Sequence, residues 1–108
     1  MLLVIFITYT FGAEQIIKNH VYDLSDNNFD EIIEQYPIIL VYFYPYWCRK
    51  CYKKDASEYT NAAKILKQEG IYLAKFLCYY QSKIPKKLHI NGFPTVILFK
   101  NGIRWVTA

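Results

Sequence analysis

The stretch Ile38-Ile39-Leu40-Val41-Tyr42-Phe43-Tyr44-Pro45-Tyr46-Trp47-Cys48-Arg49-Lys50-Cys51 decides the fold. Ile38 to Tyr44 is a near-continuous apolar run rich in β-branched and aromatic residues, which reads as a strand buried on both faces. Pro45 ends it. From Arg49 to Gln68 the apolar positions Tyr52, Ala56, Tyr59, Ala63 and Leu66 recur every three or four residues. That spacing predicts one long amphipathic helix, stopped by Gly70. Between strand and helix lie two cysteines separated by two residues, which can close a disulfide within one turn of chain. At a helix N-terminus the first can also be a stabilised thiolate. The combination points to thiol–disulfide exchange.

Moving outward, Val21-Tyr22-Asp23-Leu24 alternates as a half-buried strand does. Ser25 or Asp26 is expected to cap a helix with Phe29, Ile32 and Ile33 on one face, broken by Pro37. Ile71 to Leu77 reads as a third strand. Ser82 to Leu88 reads as a short helix, with Pro85 in its first turn where a missing N–H costs least. Thr95 to Phe99 is a fourth strand, and Asn101-Gly102 is a hairpin signal that returns the chain as a fifth, Ile103 to Val106. The order β-α-β-α-β-α-β-β implies an α/β fold, a central mixed sheet with helices on both faces.

The 108 residues suffice for one small domain, and a content of 54% hydrophobic and 19% aromatic residues excludes disorder as the main state. Met1 to Phe11 is apolar apart from Thr8, Tyr9 and Thr10, and the small residues Gly12 and Ala13 follow. It is too short to span a bilayer, which takes about 20 residues. It is expected to be a secretory signal, residues 1–13, ahead of a domain over residues 14–108. Its departures from the usual pattern are the lack of a preceding Lys or Arg and its short length; a buried N-terminal strand or a misplaced start is the alternative. An exported domain enters an oxidising compartment where Cys48 and Cys51 persist as a disulfide. The third cysteine, Cys78, then lacks an obvious partner and reads as a buried free thiol.

The net charge of +4 is unevenly spread. Residues 14–34 hold six acids against Lys18, whereas residues 48–108 hold twelve Lys and Arg against Asp55, Glu58 and Glu69. Solvated faces account for this; the sharper reading is a positive field near the cysteines that favours thiolate and acidic partners. Without a basic–aromatic motif, nucleic acid is not an expected partner. Nor is a metal: zinc needs four ligands, and Cys78, His20 and His89 lack the spacing to complete a set.

With these elements placed, the chain resembles the protein disulfide isomerase family, and specifically its catalytic thioredoxin-like domain. The resemblance rests on Val21 to Phe29 for the first strand and helix entry, Val41 to Cys48 for the strand into the site, and Leu73-Ala74-Lys75 for the third strand. Asn91-Gly92-Phe93-Pro94-Thr95, followed by Phe99-Lys100-Asn101-Gly102, matches the cis-proline loop and terminal hairpin. It covers roughly Ile17 to Val106. It implies a catalytic pair in which Cys48 attacks and Cys51, one turn further in, resolves the mixed disulfide. Arg49 and Lys50 tune the thiolate, and Trp47, Phe93 and a cis Pro94 meet the substrate. No cofactor is implied. The implied partners are client proteins with thiols or disulfides, with glutathione or an upstream oxidase recycling the pair. The implied location is the endoplasmic reticulum lumen or the exterior, without a stable membrane anchor.

Four departures bear on competence. Arg49-Lys50 stands where the family has Gly-His. Tyr42 stands where the family has a buried Glu that relays a proton to the second cysteine, and a phenol of pKa about 10 is a poor base at neutral pH. That exchange also leaves Lys75, the acid's usual neighbour, without its partner. Pro45-Tyr46 replaces Ala-Pro before Trp47, and the proline that kinks the family's active-site helix is missing. The sequence stops at Ala108, lacking the family's last C-terminal helix and a nearby arginine for which Arg104 lies too early. It therefore reads as a fragment or short isoform, or as a domain whose apolar face is covered by something else. The main expectation is an enzyme, a protein disulfide isomerase-like thiol–disulfide oxidoreductase of reduced activity. The alternative is a redox-impaired thioredoxin-like module that binds or chaperones clients. A structural disulfide, or a cytosolic thioredoxin, is a further rival. Tyr44 reads as core, and Tyr79, Tyr80, His20 and His89 receive no role.

Overall fold

The computed structural model describes residues 17–18, 20–49, 51 and 56–107. The expected leader, Lys50 and the segment 52–55 lie outside them. Nine elements follow in order: β1 (Ile17–Lys18), β2 (Val21–Leu24), α1 (Phe29–Gln35), β3 (Ile38–Pro45), α2 (Ala56–Lys67), β4 (Tyr72–Cys78), α3 (Lys83–Lys87), β5 (Thr95–Lys100) and β6 (Ile103–Thr107). One mixed sheet contains all the strands, in the order β1-β2-β4-β3-β5-β6. β3 and β4 are parallel, as are β2 and β4, while β5 runs antiparallel to β3. The two-residue β1, antiparallel to β2, is the one strand the sequence pattern did not announce.

Strand β3 sits at the centre because it can bury both faces. Ile39, Val41 and Phe43, each fully buried, point into a core with Phe29, Ile32 and Ile33 of α1 and Ile84 of α3. Phe29 meets Phe43, Phe76 and Phe99 at ring separations of 6.3, 6.1 and 5.5 Å. The alternate residues Leu40, Tyr42 and Tyr44 face the side covered by α2, whose Tyr59, Ala63 and Leu66 pack on Val21, Leu73 and Leu40. Among the described residues three helices are present and none follows β6. β6 is exposed throughout, with Trp105 carrying the Lys100 ammonium 4.6 Å from its ring centroid.

The turns follow the local chemistry. α2 ends in a Schellman arrangement: Gly70, at φ +79°, donates to Lys67 and Ile71 donates to Leu66. Asn101 and Gly102 both take positive φ, which the tight β5–β6 hairpin requires. The capping of α1 differs from expectation. Its N-cap is Asn28, which makes no side-chain cap bond. The Asn28 side chain instead folds back to accept from the Ser25 N–H, at 2.7 Å. Asp26 caps a different helix: its carboxylate accepts from Lys83 N–H at 2.8 Å and Ile84 N–H at 2.9 Å, at the start of α3. An acid at the end of β2 thus fixes a helix 57 residues later, and no local sequence pattern reports such a link.

Candidate functional site

Parallel β3 and β4 finish at the same rim of the sheet, with Pro45 opposite Cys78. The rim is closed by the Tyr46 N–H donating to the Cys78 carbonyl at 3.0 Å. There the chain turns into helical backbone: Cys48 N–H donates to Pro45 at 3.1 Å, and Cys51 N–H donates to Cys48 at 3.2 Å. This turn brings the two Cα atoms to 5.5 Å and the Cys48 and Cys51 sulfurs to bonding distance, a disulfide. Its sulfurs sit in unlike surroundings. Cys48 is half-buried beside the exposed Trp47 and Arg49, whereas Cys51 is buried.

Behind Cys51 lies a wall of tyrosines. Tyr42 and Tyr44 are buried and stacked, with ring centroids 5.5 Å apart and planes 17° apart. Tyr59, from α2, stands 5.5 Å from Tyr42. Its hydroxyl lies 2.8 Å from the carbonyl oxygens of both Leu40 and Ala74, so one proton is shared between β3 and β4. Burial pushes that phenol well above its ordinary range, and it stays neutral. Lys75 is the register partner of Tyr42 on β4. The apolar and aromatic side chains clustered at Cys51 are Tyr42, Tyr44, Tyr59, Leu77 and Val96.

The second loop at this rim carries the cis peptide bond Phe93–Pro94. Phe93 and Trp47 line one cleft of about 110 Å³, and Pro94 follows Phe93 directly on the same loop. The cleft also contains Tyr46, Tyr79 and Tyr80, with Cys78 among the residues lining it. Tyr46 stacks on Tyr79 at 5.6 Å and meets Tyr80 edge-on at the same separation. A hydrogen bond with Tyr80 raises the Tyr46 phenol above its usual pKa. Tyr79 and Tyr80 went unassigned from sequence. The signal that reaches them is topological: residues just past β4 must emerge beside those just past β3, because neighbouring parallel strands end together.

Cys78 is buried, with its thiol 3.6 Å from the Phe76 carbonyl. Burial, with the nearby Asp26 charge adding, pushes the thiol up to about 12. It is therefore a neutral, inert thiol at neutral pH. His20 and His89 sit exposed in left-handed turns at φ 66° and 57°. Arg104 is engaged elsewhere, donating to the Leu88 carbonyl and to Thr107 Oγ1. Among the described residues there is no cluster of three or more metal-binding side chains, and no helix is long and apolar enough to cross a membrane.

A half-exposed cysteine closing a disulfide one turn into a helix, beside a cis-proline loop at the end of a parallel β-β pair, defines a thioredoxin-fold domain with a redox-type cysteine pair. The thioredoxin family model matches residues 20–107, and the chain belongs to that family. Its relatives include protein disulfide-isomerase 1 of Caenorhabditis elegans, 38% identical over 93 residues that make up 84% of this chain and 19% of that protein. Protein disulfide-isomerase A4 of Mus musculus is 41% identical over 81 residues, covering 73% of this chain and 12% of that protein. The chain thus spans about a fifth or less of the length of these curated relatives. Among solved structures, the first thioredoxin domain of mouse protein disulfide-isomerase A4 superposes with a TM-score of 0.71 at 33% identity, over 82% of this chain and 64% of that one. Oxidised thioredoxin from Plasmodium falciparum gives 0.72 at 29%, over 82% and 83% of the two chains.

Proposed function

We propose that the chain is a thiol–disulfide oxidoreductase domain of the protein disulfide isomerase kind, with Cys48 as nucleophile and Cys51 as resolving thiol. The observation that carries this is the asymmetric disulfide: Cys48, at a helix start, is only partly buried, whereas Cys51, one turn in, is buried. In the oxidised form a client thiolate attacks Cys48 Sγ. The Cys48–Cys51 bond breaks, and Cys51 leaves as a thiolate that takes up a proton. A second client thiolate then attacks the client sulfur of the mixed disulfide and releases Cys48. The client gains a disulfide and loses two electrons, which the pair takes up; glutathione disulfide or an upstream oxidase returns the pair to its starting state. Arg49, with Lys50, supplies positive charge that favours the Cys48 thiolate, and Trp47, Phe93 and Pro94 form the surface on which a client lies.

The domain runs over residues 14–108 after a signal at 1–13, and acts in the endoplasmic reticulum lumen or outside the cell. The apolar leader and the likeness to protein disulfide isomerases support this, and the mass of the mature N-terminus tests it. Refolding of a reduced disulfide-containing protein tests the activity. The chain accelerates recovery, and Cys48→Ser removes the acceleration; an unchanged rate in that variant excludes the enzymatic reading. A second reading has its own support in the tyrosine wall. Tyr42, a poor base beside Cys51, slows proton exchange there and lengthens mixed-disulfide lifetimes, the behaviour of a module that holds clients rather than shuffling them.

A further inference from the structure

Five aromatic side chains are exposed around one cleft: Tyr46, Trp47, Tyr79, Tyr80 and Phe93, at 38, 65, 49, 80 and 39%. Outside it, exposed large apolar side chains among the described residues are Ile65 and the β6 residues Ile103, Trp105 and Val106. Clustered exposed apolar surface marks an interaction site, whereas scattered residues do not. Three of the five are tied together before anything binds. Tyr46 stacks on Tyr79 with planes 13° apart and meets Tyr80 edge-on, so their ordering is already met by the fold. The cleft, about 110 Å³, is of the order of the cavities of about 150 Å³ that take a benzene ring.

We infer that Tyr46, Tyr79 and Tyr80 form an aromatic shelf that selects clients carrying an aromatic side chain within about two residues of the exchanging cysteine. This rests on the redox reading of Cys48 above. Continuity with that cysteine identifies the occupant. Trp47 lines the cleft and is the residue directly before Cys48. A client joined to Cys48 by a mixed disulfide therefore has its adjoining residues at the mouth of the cleft, and an extended chain advances about 3.3 Å per residue. The shelf thus meets the covalently held segment of the client rather than a distant surface or a second copy. A ring entering there finds edge and face partners already in place, the arrangement in which aromatic pairs add to simple burial.

The test uses the oxidised full chain and three monothiol peptides: one with Phe two residues before its cysteine, one with Phe two residues after, and one with Ala at both places. The rate of opening of the Cys48–Cys51 disulfide is followed by acid quench and mass spectrometry, with glutathione as a featureless thiol. At least one Phe peptide reacts faster than the Ala peptide by about three- to tenfold, the worth of a single aromatic pair. In Tyr79→Ser/Tyr80→Ser that ratio falls to near one, and in Tyr79→Phe/Tyr80→Phe it is kept. Equal rates for all three peptides in the parent chain overturn the shelf while leaving the redox reading in place. Survival of the preference in the serine variant overturns it too. Failure of every thiol, glutathione included, to open the disulfide overturns the redox reading and the shelf with it.

Discussion

The two sulfurs of one disulfide, three residues apart in sequence, stand in contrasting environments. On the Cys48 side are an exposed indole, an exposed guanidinium and an aromatic cleft. On the Cys51 side are buried phenols stacked two deep, with Tyr59 bridging two strands. The first is a surface where an incoming thiol finds access and positive charge. The second is a buried enclosure walled by Tyr42, Tyr44 and Tyr59, in which a phenol is a poor base at neutral pH. On the proposed reading, Cys48 serves attack and Cys51 serves release, and the two sulfurs meet these tasks in different surroundings.

The largest effect expected from breaking this contrast is at Cys48 itself. Cys48→Ser brings disulfide exchange down to the background rate. Cys51→Ser has no internal disulfide, but its Cys48 thiolate still attacks client disulfides, expelling one client sulfur as thiolate, and the resulting mixed disulfides accumulate on non-reducing gels. If the two variants behave alike, the division of roles fails. Next in size is Tyr42→Glu, which returns a carboxylate to the wall behind Cys51 opposite Lys75. It raises the rate of mixed-disulfide resolution in stopped-flow measurements by about tenfold to a hundredfold, at or below the low end of what a positioned general base contributes. An unchanged rate in a folded variant would show that the tyrosine wall does not limit release.

How much of this was legible in the sequence differs between the same two sides. The strand Ile38–Tyr44, the cysteine spacing and the Gly-Phe-Pro-Thr loop are local patterns, and the hydrophobic periods of β3 and α2 suffice to put Cys48 at a strand-to-helix turn. Tyr42 as a departure was equally visible, because alternation along β3 decides which face it joins. What stayed hidden was long-range. The capping of α3 by Asp26, the sharing of the Tyr59 proton between Leu40 and Ala74, and the meeting of Tyr46 with Tyr79 and Tyr80 all depend on which strand lies beside which. Periodicity reports which residues are inside; it does not report sheet order.

Smaller effects sharpen the buried side. Tyr59→Phe removes the hydroxyl shared by the two carbonyls and costs about 1 kcal/mol of stability, the net worth of a typical internal hydrogen bond, measured by denaturant unfolding. Smallest near neutral pH is the contribution of Cys78. Burial raises its folded pKa to about 12, above the ordinary cysteine value of 9.0. The folded state therefore holds its proton where the unfolded chain has lost it. Its contribution is complete below pH 9 and is lost as pH rises towards 12. At pH 8 iodoacetamide modifies Cys78 in the unfolded chain and spares it in the folded one; equal labelling would mean that the thiol is not enclosed.

The central claim is that Cys48–Cys51 is an exchanging pair rather than a structural bond. Equilibration of the chain with glutathione buffers of graded potential, followed by acid trapping and mass spectrometry, measures this directly. The account predicts half-reduction between about −270 and −120 mV, the range of known exchange catalysts, with the glutathione adduct on Cys48. A pair that stays oxidised below about −300 mV, as structural disulfides do, contradicts it.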